Sequence, residues 1–349
     1  MSRRILSIIV AAVLVSTLLL AGCGNSGSGS GSGAGGSSGA GGSSGIGGSS
    51  DAGSSNSAGN TGSSTGSSTG SSADTSKTLI SIVDMSGRTV TLDKPAEKVV
   101  VLTASACEIV YALGAGERVV GRGEYCDWPV EALSKPSLAS GSETNIEQII
   151  ALRPDLVLMA TMGQSLEQAT RLENAGIAVY ASDANDIAGT YESILQIGTL
   201  LGKEAEAEKI VADMKATFDA IAAQKVSGTV YFEVSPLEYG LWTAGSNTFM
   251  NEVAELIGLE NIFGDVSGWA EISEEQVILR NPDYIVTVGM YFGEGPLPDE
   301  EIMMRSSWLN IKAVKGDRIL NLANNELTRP GPRLAEGARA LYDFVKANP

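Results

Sequence analysis

Two short segments of this chain recur as near copies, and this repetition constrains the fold more than any other feature. The motif Glu-Gln-apolar-Ile stands at residues 147–150 and again at 275–278, and each copy leads to Pro-Asp and an apolar run. Upstream, residues 108–114 resemble residues 252–258. One repeat at so long a period predicts two similar lobes and not a stack of small units. Two lobes leave a cleft between them, and clefts between domains are common sites for small ligands.

Strands and helices alternate on both sides of a long helical stretch. A strand buried on both faces is predicted at 99–103. Further strands are predicted at 119–121, 155–159, 177–180, 229–234, 284–288 and 318–320, and helices at 105–113, 164–174 and 249–257, with a final helix after residue 333 that ends at Val345. Residues 186–225 carry apolar side chains at helical spacing, with Gly202 as a break. The predicted fold class is α/β, with two similar lobes on central parallel sheets joined by a long helical backbone.

Several local signals place the ends of these elements. Ser86-Gly87 lies between two alternating runs and predicts a hairpin. Ser105 is followed three residues later by Glu108, which predicts a capping box at the start of the first helix. Asn145 is predicted to cap the helix that carries Glu147.

The N-terminus has the features of an export signal. Arg3 and Arg4 precede an apolar run that ends at Leu20-Ala21-Gly22-Cys23. This ending resembles a bacterial lipoprotein lipobox, and the resemblance implies that Cys23 becomes the lipidated first residue after cleavage. The mature protein is then expected on the extracytoplasmic face of the cell membrane. The alternative is an ordinary signal peptide with an incidental cysteine.

A segment of almost only Gly, Ser, Ala, Thr and Asn follows Cys23. Such a segment cannot bury enough surface to offset its ordering entropy, so it is predicted to be a flexible tether with an end-to-end distance of roughly 40 Å. The domain boundaries that we predict are a signal peptide at 1–22, the tether at 23–77, an N-terminal lobe at 78–185, a helical connector at 186–226 and a C-terminal lobe at 227–349.

Composition excludes several classes of function. The net charge of −17 argues against nucleic acid, because phosphates would not be neutralised. The chain contains no histidine, the commonest transition-metal ligand and general base, and no metal site or cofactor is predicted. Cys107 and Cys126 could form one disulfide, but buried thiols are favoured because a disulfide scaffold would have more cysteines.

The mature chain resembles the substrate-binding proteins of bacterial ABC importers that carry cobalamin, ferric siderophores and haem. The resemblance covers about residues 79–349 and rests on the segments at 99–103, 125–129, 145–158, 243–249, 258–263 and 329–333. It implies a monomer that binds a small molecule and docks onto a membrane permease. It also implies that Glu147 and Glu275, one on each lobe, contact permease arginines; Glu274 is the alternative to Glu275. Without the resemblance, both would pass as ordinary first-turn acids that suit the helix dipole.

Aromatic residues are the first candidates for ligand contact. Loops at the carboxyl ends of the strands should line the cleft, and they carry Tyr125, Trp128, Trp242 and Trp269. Large flat side chains suit a macrocyclic or catecholate ligand, although each ring could instead pack under its own loop. The Tyr291-Phe292 pair is a further candidate, whereas Trp308 is predicted to be structural.

Arg329 and Arg333 flank Pro330-Gly331-Pro332 before the last helix. They could contact a carboxylate or phosphate of the ligand, since arginine binds such groups in a bidentate manner, or they could pair with neighbouring acids. Tyr125 or Tyr291 could serve as an axial ligand of haem iron.

The ligand class follows from the resemblance alone. The loop Asp127-Trp128-Pro129 resembles the cobalamin receptors, so a corrinoid is the first expectation, followed by a ferric siderophore and then haem. Two alternatives belong to other classes: a binding module that feeds a sensor, and a surface hydrolase that uses only carboxylates. The second has no nucleophile–base pair, phosphate loop or metal triad in the sequence to support it.

Overall fold

The computed structural model describes residues 79–235, 237–288, 295–322 and 325–349. The predicted signal peptide, Cys23, the tether and the Tyr291-Phe292 pair lie outside the described residues. Within the described part of the chain, no helix is both long enough and apolar enough to cross a membrane.

The first lobe is built on a parallel sheet. Its elements are β1 (Ile80–Val83), β2 (Thr89–Leu92), β3 (Val99–Val101), α1 (Ala104–Ala112), β4 (Val119–Gly123), β5 (Ser137–Leu138), α2 (Ile146–Leu152), β6 (Leu156–Met159), α3 (Leu166–Asn174) and β7 (Ala178–Ala181). β1 and β2 form the predicted hairpin, and the sheet has the parallel order β5-β4-β3-β6-β7. All three valines of β3 are fully buried, because helices cover a parallel sheet on both faces.

Two helices of this lobe begin at other residues than the sequence predicted. Thr103, with extended backbone angles (φ −119°, ψ 145°), caps α1, so Ser105 lies inside the helix and forms no capping box with Glu108. Thr and Ser are both good capping residues. Thr103 caps the helix because it is still extended shortly after β3 ends at Val101, whereas Ser105 already lies in α1. Ser165 caps α3, so Gln164 belongs to the preceding loop and not to the helix.

The connector consists of α4 (Ile187–Leu201) and α5 (Glu204–Ala222). Gly202 separates them in a left-handed conformation (φ 61°), as predicted from its position, because glycine adopts positive φ without steric cost. The two helices pack against each other. One hydrophobic core runs from β3 and α1 through both connector helices into the second lobe.

The second lobe repeats the plan of the first. Its elements are β8 (Thr229–Glu233), β9 (Leu241–Ala244), α6 (Phe249–Ile257), β10 (Glu260–Asn261), β11 (Trp269–Ile272), α7 (Glu274–Arg280), β12 (Tyr284–Val288), α8 (Pro298–Met304), α9 (Lys312–Lys315), β13 (Ile319–Leu322) and α10 (Leu334–Ala347). The parallel sheet has the order β10-β8-β12-β13, which corresponds to β4-β3-β6-β7 of the first lobe.

The repeated Pro-Asp motif has the same structural role in both lobes. The carboxylate of Asp155 accepts the backbone N–H of Lys98 at 2.9 Å, and that of Asp283 accepts the backbone N–H of Thr229 at 3.0 Å. In return, the Asp155 N–H donates to the Lys98 carbonyl and the Asp283 N–H donates to the Thr229 carbonyl. Each motif therefore joins the starts of two neighbouring strands, and the duplication predicted from the sequence is present in the fold.

One pairing was not predicted. β9 and β11 form a two-stranded antiparallel sheet beside the main sheet of the second lobe, so Trp242 and Trp269 lie on strands and not on loops. The sequence carries no hairpin signal for this pair, because β9 and β11 are separated by a long segment and not by a tight turn.

Candidate functional site

A cavity of about 510 Å³ lies between the two lobes. The segments that follow β3, β6 and β7 form one side, where parallel strands end next to one another. The second lobe contributes the starts of α6 and β11 and residues 328–330. A molecule bound in this cavity would therefore contact both lobes.

The aromatic part of the lining consists of Tyr125, Phe249 and Trp269. Trp269 packs edge to face on Phe249, with ring centroids 5.6 Å apart. Tyr125, in the loop after β4, is 61% exposed. Sequence reasoning missed Phe249, because it reads as a core position at the start of an amphipathic helix.

Two of the predicted aromatic residues lie outside this lining. The Trp128 ring covers the Arg333 guanidinium at 4.4 Å from its centroid. Trp242 lies opposite Glu271 and on the same face of its sheet as Trp269, because every second residue of a strand shares a face. Ligand contact by Trp128 or Trp242 stays a prediction that requires a ligand extending beyond the cavity.

Arg329 and Arg333 connect the second lobe to carboxylates of the first. The buried Glu108 carboxylate accepts from Arg333 Nε at 3.0 Å and Nη2 at 2.5 Å, and from Arg329 Nη1 at 3.0 Å. Arg329 Nη1 also donates to Asp127 at 2.6 Å. Burial lowers the pKa of Arg329, but the bonds to Asp127 and Glu108 outweigh it and raise the pKa overall. Of the two arginines, only Arg329 lines the cavity, and the carboxylates already compensate its charge.

A polar group on the first-lobe wall was also missed from the sequence. Asp183 accepts the Thr161 backbone N–H at 2.8 Å and the Thr161 hydroxyl at 2.7 Å. Gln164 is buried, and its side-chain oxygen accepts the backbone N–H of Ala160 at 3.3 Å. Gln164 and Asp183 both line the cavity. For Asp183, its position just after a predicted strand was the only available signal, whereas Gln164 was predicted to begin a helix.

Cys107 and Cys126 are both buried free thiols, which agrees with the prediction. A hydrogen bond with Cys126, together with burial, raises the pKa of the Cys107 thiol. The thiol is therefore protonated and unreactive at neutral pH.

Glu147 and Glu275 occupy equivalent exposed positions in the first turns of α2 and α7. Their surroundings differ. Arg171 Nη2 lies 3.6 Å from Glu147 Oε1, whereas within the described residues no cation lies within ion-pair distance of Glu275. Hydrogen bonding with Ser273 lowers the pKa of Glu275, so this carboxylate is charged at neutral pH. Glu274 is less exposed and accepts from the Ser307 hydroxyl at 3.0 Å.

The chemistry of the lining suits binding. In the described ranges, no group of three or more Cys, Asp and Glu side chains is arranged to hold a metal ion. Asp183 is the only carboxylate among the described residues that line the cavity, whereas the hydrolase hypothesis needs two.

Three comparisons with known proteins agree with this geometry. The family model described as periplasmic binding protein matches residues 99–325. The chain is 35% identical over 275 residues to the ABC transporter substrate-binding lipoprotein YvrC of Bacillus subtilis (strain 168), covering 76% of this chain and 85% of that protein. It is 31% identical over 265 residues to the cobalamin-binding protein of Halobacterium salinarum, covering 72% and 70%.

A solved structure from Staphylococcus epidermidis, described as a possible iron-binding (periplasmic solute-binding) protein, has the same fold. Its TM-score is 0.60 at 31% sequence identity, and the match covers 72% of this chain and 99% of that one. Two similar α/β lobes with a ligand-sized cleft and a helical connector define a solute-binding receptor. The chain belongs to the periplasmic binding protein family, as the sequence resemblance implied.

Proposed function

We propose that this chain is the substrate-binding component of an ABC importer and captures a cobalamin-type corrinoid in the cleft. The choice of ligand class rests on the charges that line the cavity. Arg329 is the only cation among the described lining residues, and two carboxylates already bind it. A corrinoid surrounds its ring with neutral amide groups, so it needs no cationic site.

The size and aromatic character of the cavity support the same ligand class. A volume of about 510 Å³ is within the roughly 300–1,000 Å³ of ligand pockets, and its open side admits a larger molecule in part. Tyr125 and Trp269 offer flat apolar surface for a macrocycle. The name of the Halobacterium relative adds support from a protein of similar sequence.

A ferric siderophore is the second candidate, because the Staphylococcus structure is described as possibly iron-binding. An anionic ferric complex would find one compensated arginine in the cavity, which makes it the poorer match. Haem would rely on Tyr125 as its axial ligand. The relatives are named as binding proteins, which supports a receptor without enzymatic activity.

Titration of the purified protein tests the ligand. Cyanocobalamin, ferric enterobactin (an anionic tris-catecholate) and haemin would each be added while tryptophan fluorescence is followed. We expect cyanocobalamin to bind with a Kd below about 10 µM, or about −7 kcal/mol, and more tightly than the other two. Binding of ferric enterobactin or haemin without binding of cyanocobalamin would refute the corrinoid assignment and leave the receptor role intact.

We also propose that Glu147 and Glu275 dock the two lobes of a monomeric receptor onto permease arginines. Their exposure and equivalent positions support this role. The double variant Glu147→Arg/Glu275→Arg should abolish uptake and leave ligand affinity unchanged, because repulsion at each contact costs on the order of 2–5 kcal/mol. Glu204→Arg/Glu208→Arg, which makes the same charge change on exposed positions of α5, is the matched control. Uptake at the parental rate by the first variant would exclude docking through these acids.

Membrane attachment through Cys23 completes the proposal. The lipobox-like ending supports it, as does the name of the Bacillus relative, a lipoprotein. Cys23→Ala should release the receptor into the medium. Retention of this variant in the membrane fraction, with no lipid on the parent protein by mass spectrometry, would contradict the anchor.

A further inference from the structure

One wall of the cavity carries a polar pair that the ligand contacts proposed above do not use. Gln164 and Asp183 follow β6 and β7, which are neighbours in the sheet. Gln164 accepts the backbone N–H of Ala160 at 3.3 Å, and Asp183 accepts that of Thr161 at 2.8 Å. Because these N–H groups belong to consecutive residues, the same loop of the cavity wall holds both side chains.

Gln164 presents a hydrogen-bond donor to the cavity. The residue is only 3% exposed, and the bond from Ala160 fixes its oxygen on the protein side. The amide orientation follows, because only the oxygen can accept a backbone N–H. Nε2 donates no hydrogen bond to any described residue, although Gln164 lines the cavity. Nε2 is not one of the fully buried side-chain atoms that lack a partner, so it is open to the cavity, where an acceptor from a ligand or water can reach it.

Asp183 presents the matching acceptor. Its Oδ1 accepts the Thr161 N–H at 2.8 Å and its Oδ2 accepts the Thr161 hydroxyl at 2.7 Å. Each carboxylate oxygen can accept a second hydrogen bond. Asp183 is half-buried and faces no cation at ion-pair distance among the described residues. Its negative charge therefore favours an N–H group and disfavours an acid.

We infer that Gln164 and Asp183 form a carboxamide-binding subsite. Gln164 Nε2 donates to the carbonyl oxygen of a primary amide, and Asp183 accepts from the NH₂ group of the same amide. The inference rests on the proposed corrinoid function and deepens it, because it identifies the ligand groups that the first lobe recognises. A ligand carboxylate at this position would meet the like charge of Asp183, so the subsite selects amides over acids.

Two substitutions test the subsite. In Gln164→Glu, the new carboxylate can still accept the Ala160 N–H but no longer donates. Gln276→Glu is the matched control: it makes the same charge change, its side-chain oxygen likewise accepts a backbone N–H, from Ser273, its Nε2 donates to no described residue, and it does not line the cavity. Asp183→Asn removes the charge and supplies a donor.

Isothermal titration would compare cyanocobalamin, which carries primary amides, with cobyrinic acid, which carries carboxylic acids in their place and lacks the nucleotide loop. The loop contributes equally in the parent and in each variant, so the change in preference between them reports on the amides. Gln164→Glu should weaken cyanocobalamin binding about tenfold, as for a lost hydrogen bond, and Gln276→Glu should change it by about twofold at most. Asp183→Asn should reduce the preference for cyanocobalamin over cobyrinic acid about tenfold. The melting temperature of each variant would report on the fold.

The two proposals fail in different ways. The subsite alone is overturned if the parent protein binds cyanocobalamin, Gln164→Glu binds it with the same affinity, and Asp183→Asn keeps the same preference for cyanocobalamin over cobyrinic acid. A parent protein that binds neither corrinoid overturns the proposed function and the subsite together.

Discussion

Replacing Glu108 with alanine is expected to destabilise the fold and to weaken ligand binding. Glu108 belongs to α1 of the first lobe, and its carboxylate accepts hydrogen bonds from Arg329 and Arg333 of the second. The segment between the arginines packs closely on α1, since a Cβ placed on Gly331 would lie 3.7 Å from Glu108. The carboxylate is therefore the centre of a buried contact between the lobes.

The magnitude follows from what remains after the substitution. Removing one partner of a buried ion pair costs about 3–5 kcal/mol, because the other charge stays buried. Arg329 would keep Asp127, and Arg333 would keep Glu326 at 3.9 Å and the Trp128 ring. These contacts partly compensate the two arginine charges. We therefore expect the free energy of unfolding to fall by the low end of that range, about 3 kcal/mol. For a domain of this size, that loss lowers Tm by roughly 6–12 °C.

The binding effect separates this site from an ordinary buried ion pair. Arg329 lines the cavity, and without Glu108 it would keep only the exposed Asp127 and a long bond of 3.4 Å to the Tyr125 carbonyl. We expect ligand affinity to fall about tenfold, which corresponds to about 1.4 kcal/mol. Calorimetric melting would measure stability, and titration below the Tm of the variant would measure affinity.

Glu233→Ala provides the control. Glu233 and Arg305 form a bidentate pair at 2.7 and 2.8 Å, buried within the second lobe alone. Its loss should lower Tm by a similar amount and leave affinity unchanged. The reasoning would be refuted by a Glu108→Ala protein that melts within about 2 °C of the parent. It would also be refuted if Glu233→Ala and Glu108→Ala lost the same affinity.

Three further results are expected. Trp269→Ala should weaken ligand binding by about 1–3 kcal/mol in the same titration, because its ring forms part of the cavity wall; unchanged affinity would remove Trp269 from the site. Burial raises the pKa of Asp283, but bonds from Lys312 and Thr229 lower it overall from 3.8. The charged Asp283 carboxylate therefore stabilises the fold above its unfolded pKa of 3.8, and this stabilisation is lost as the pH falls through the lower pKa of the folded state. Urea unfolding should thus show that acid below pH ~3.8 destabilises Asp283→Asn less than the parent. The Cys107 thiol, buried and with a raised pKa, should resist a thiol reagent until the protein is unfolded; fast labelling of the native protein would show that the site opens.

The sequence alone determined the architecture. The repeated Pro-Asp motif predicted two equivalent lobes, and Asp155 and Asp283 have equivalent contacts. The valines of β3 predicted a strand buried on both faces, and Gly202 predicted the break in the connector. Trp308, predicted to be structural, is fully buried. These features depend on residues close in the chain, where side-chain period and backbone preference act directly.

Only the tertiary structure decided the contents of the site. Glu108 was read as part of a local capping box, yet it binds arginines that lie more than two hundred residues away in the chain. Trp242 and Trp269 were read as loop residues, but strand pairing places them on one sheet face and only Trp269 in the cavity. Gln164 was assigned to a helix, whereas the cap at Ser165 leaves it on the cavity wall. In each case the deciding partner comes from another element, and no local pattern encodes which distant side chains the fold brings together.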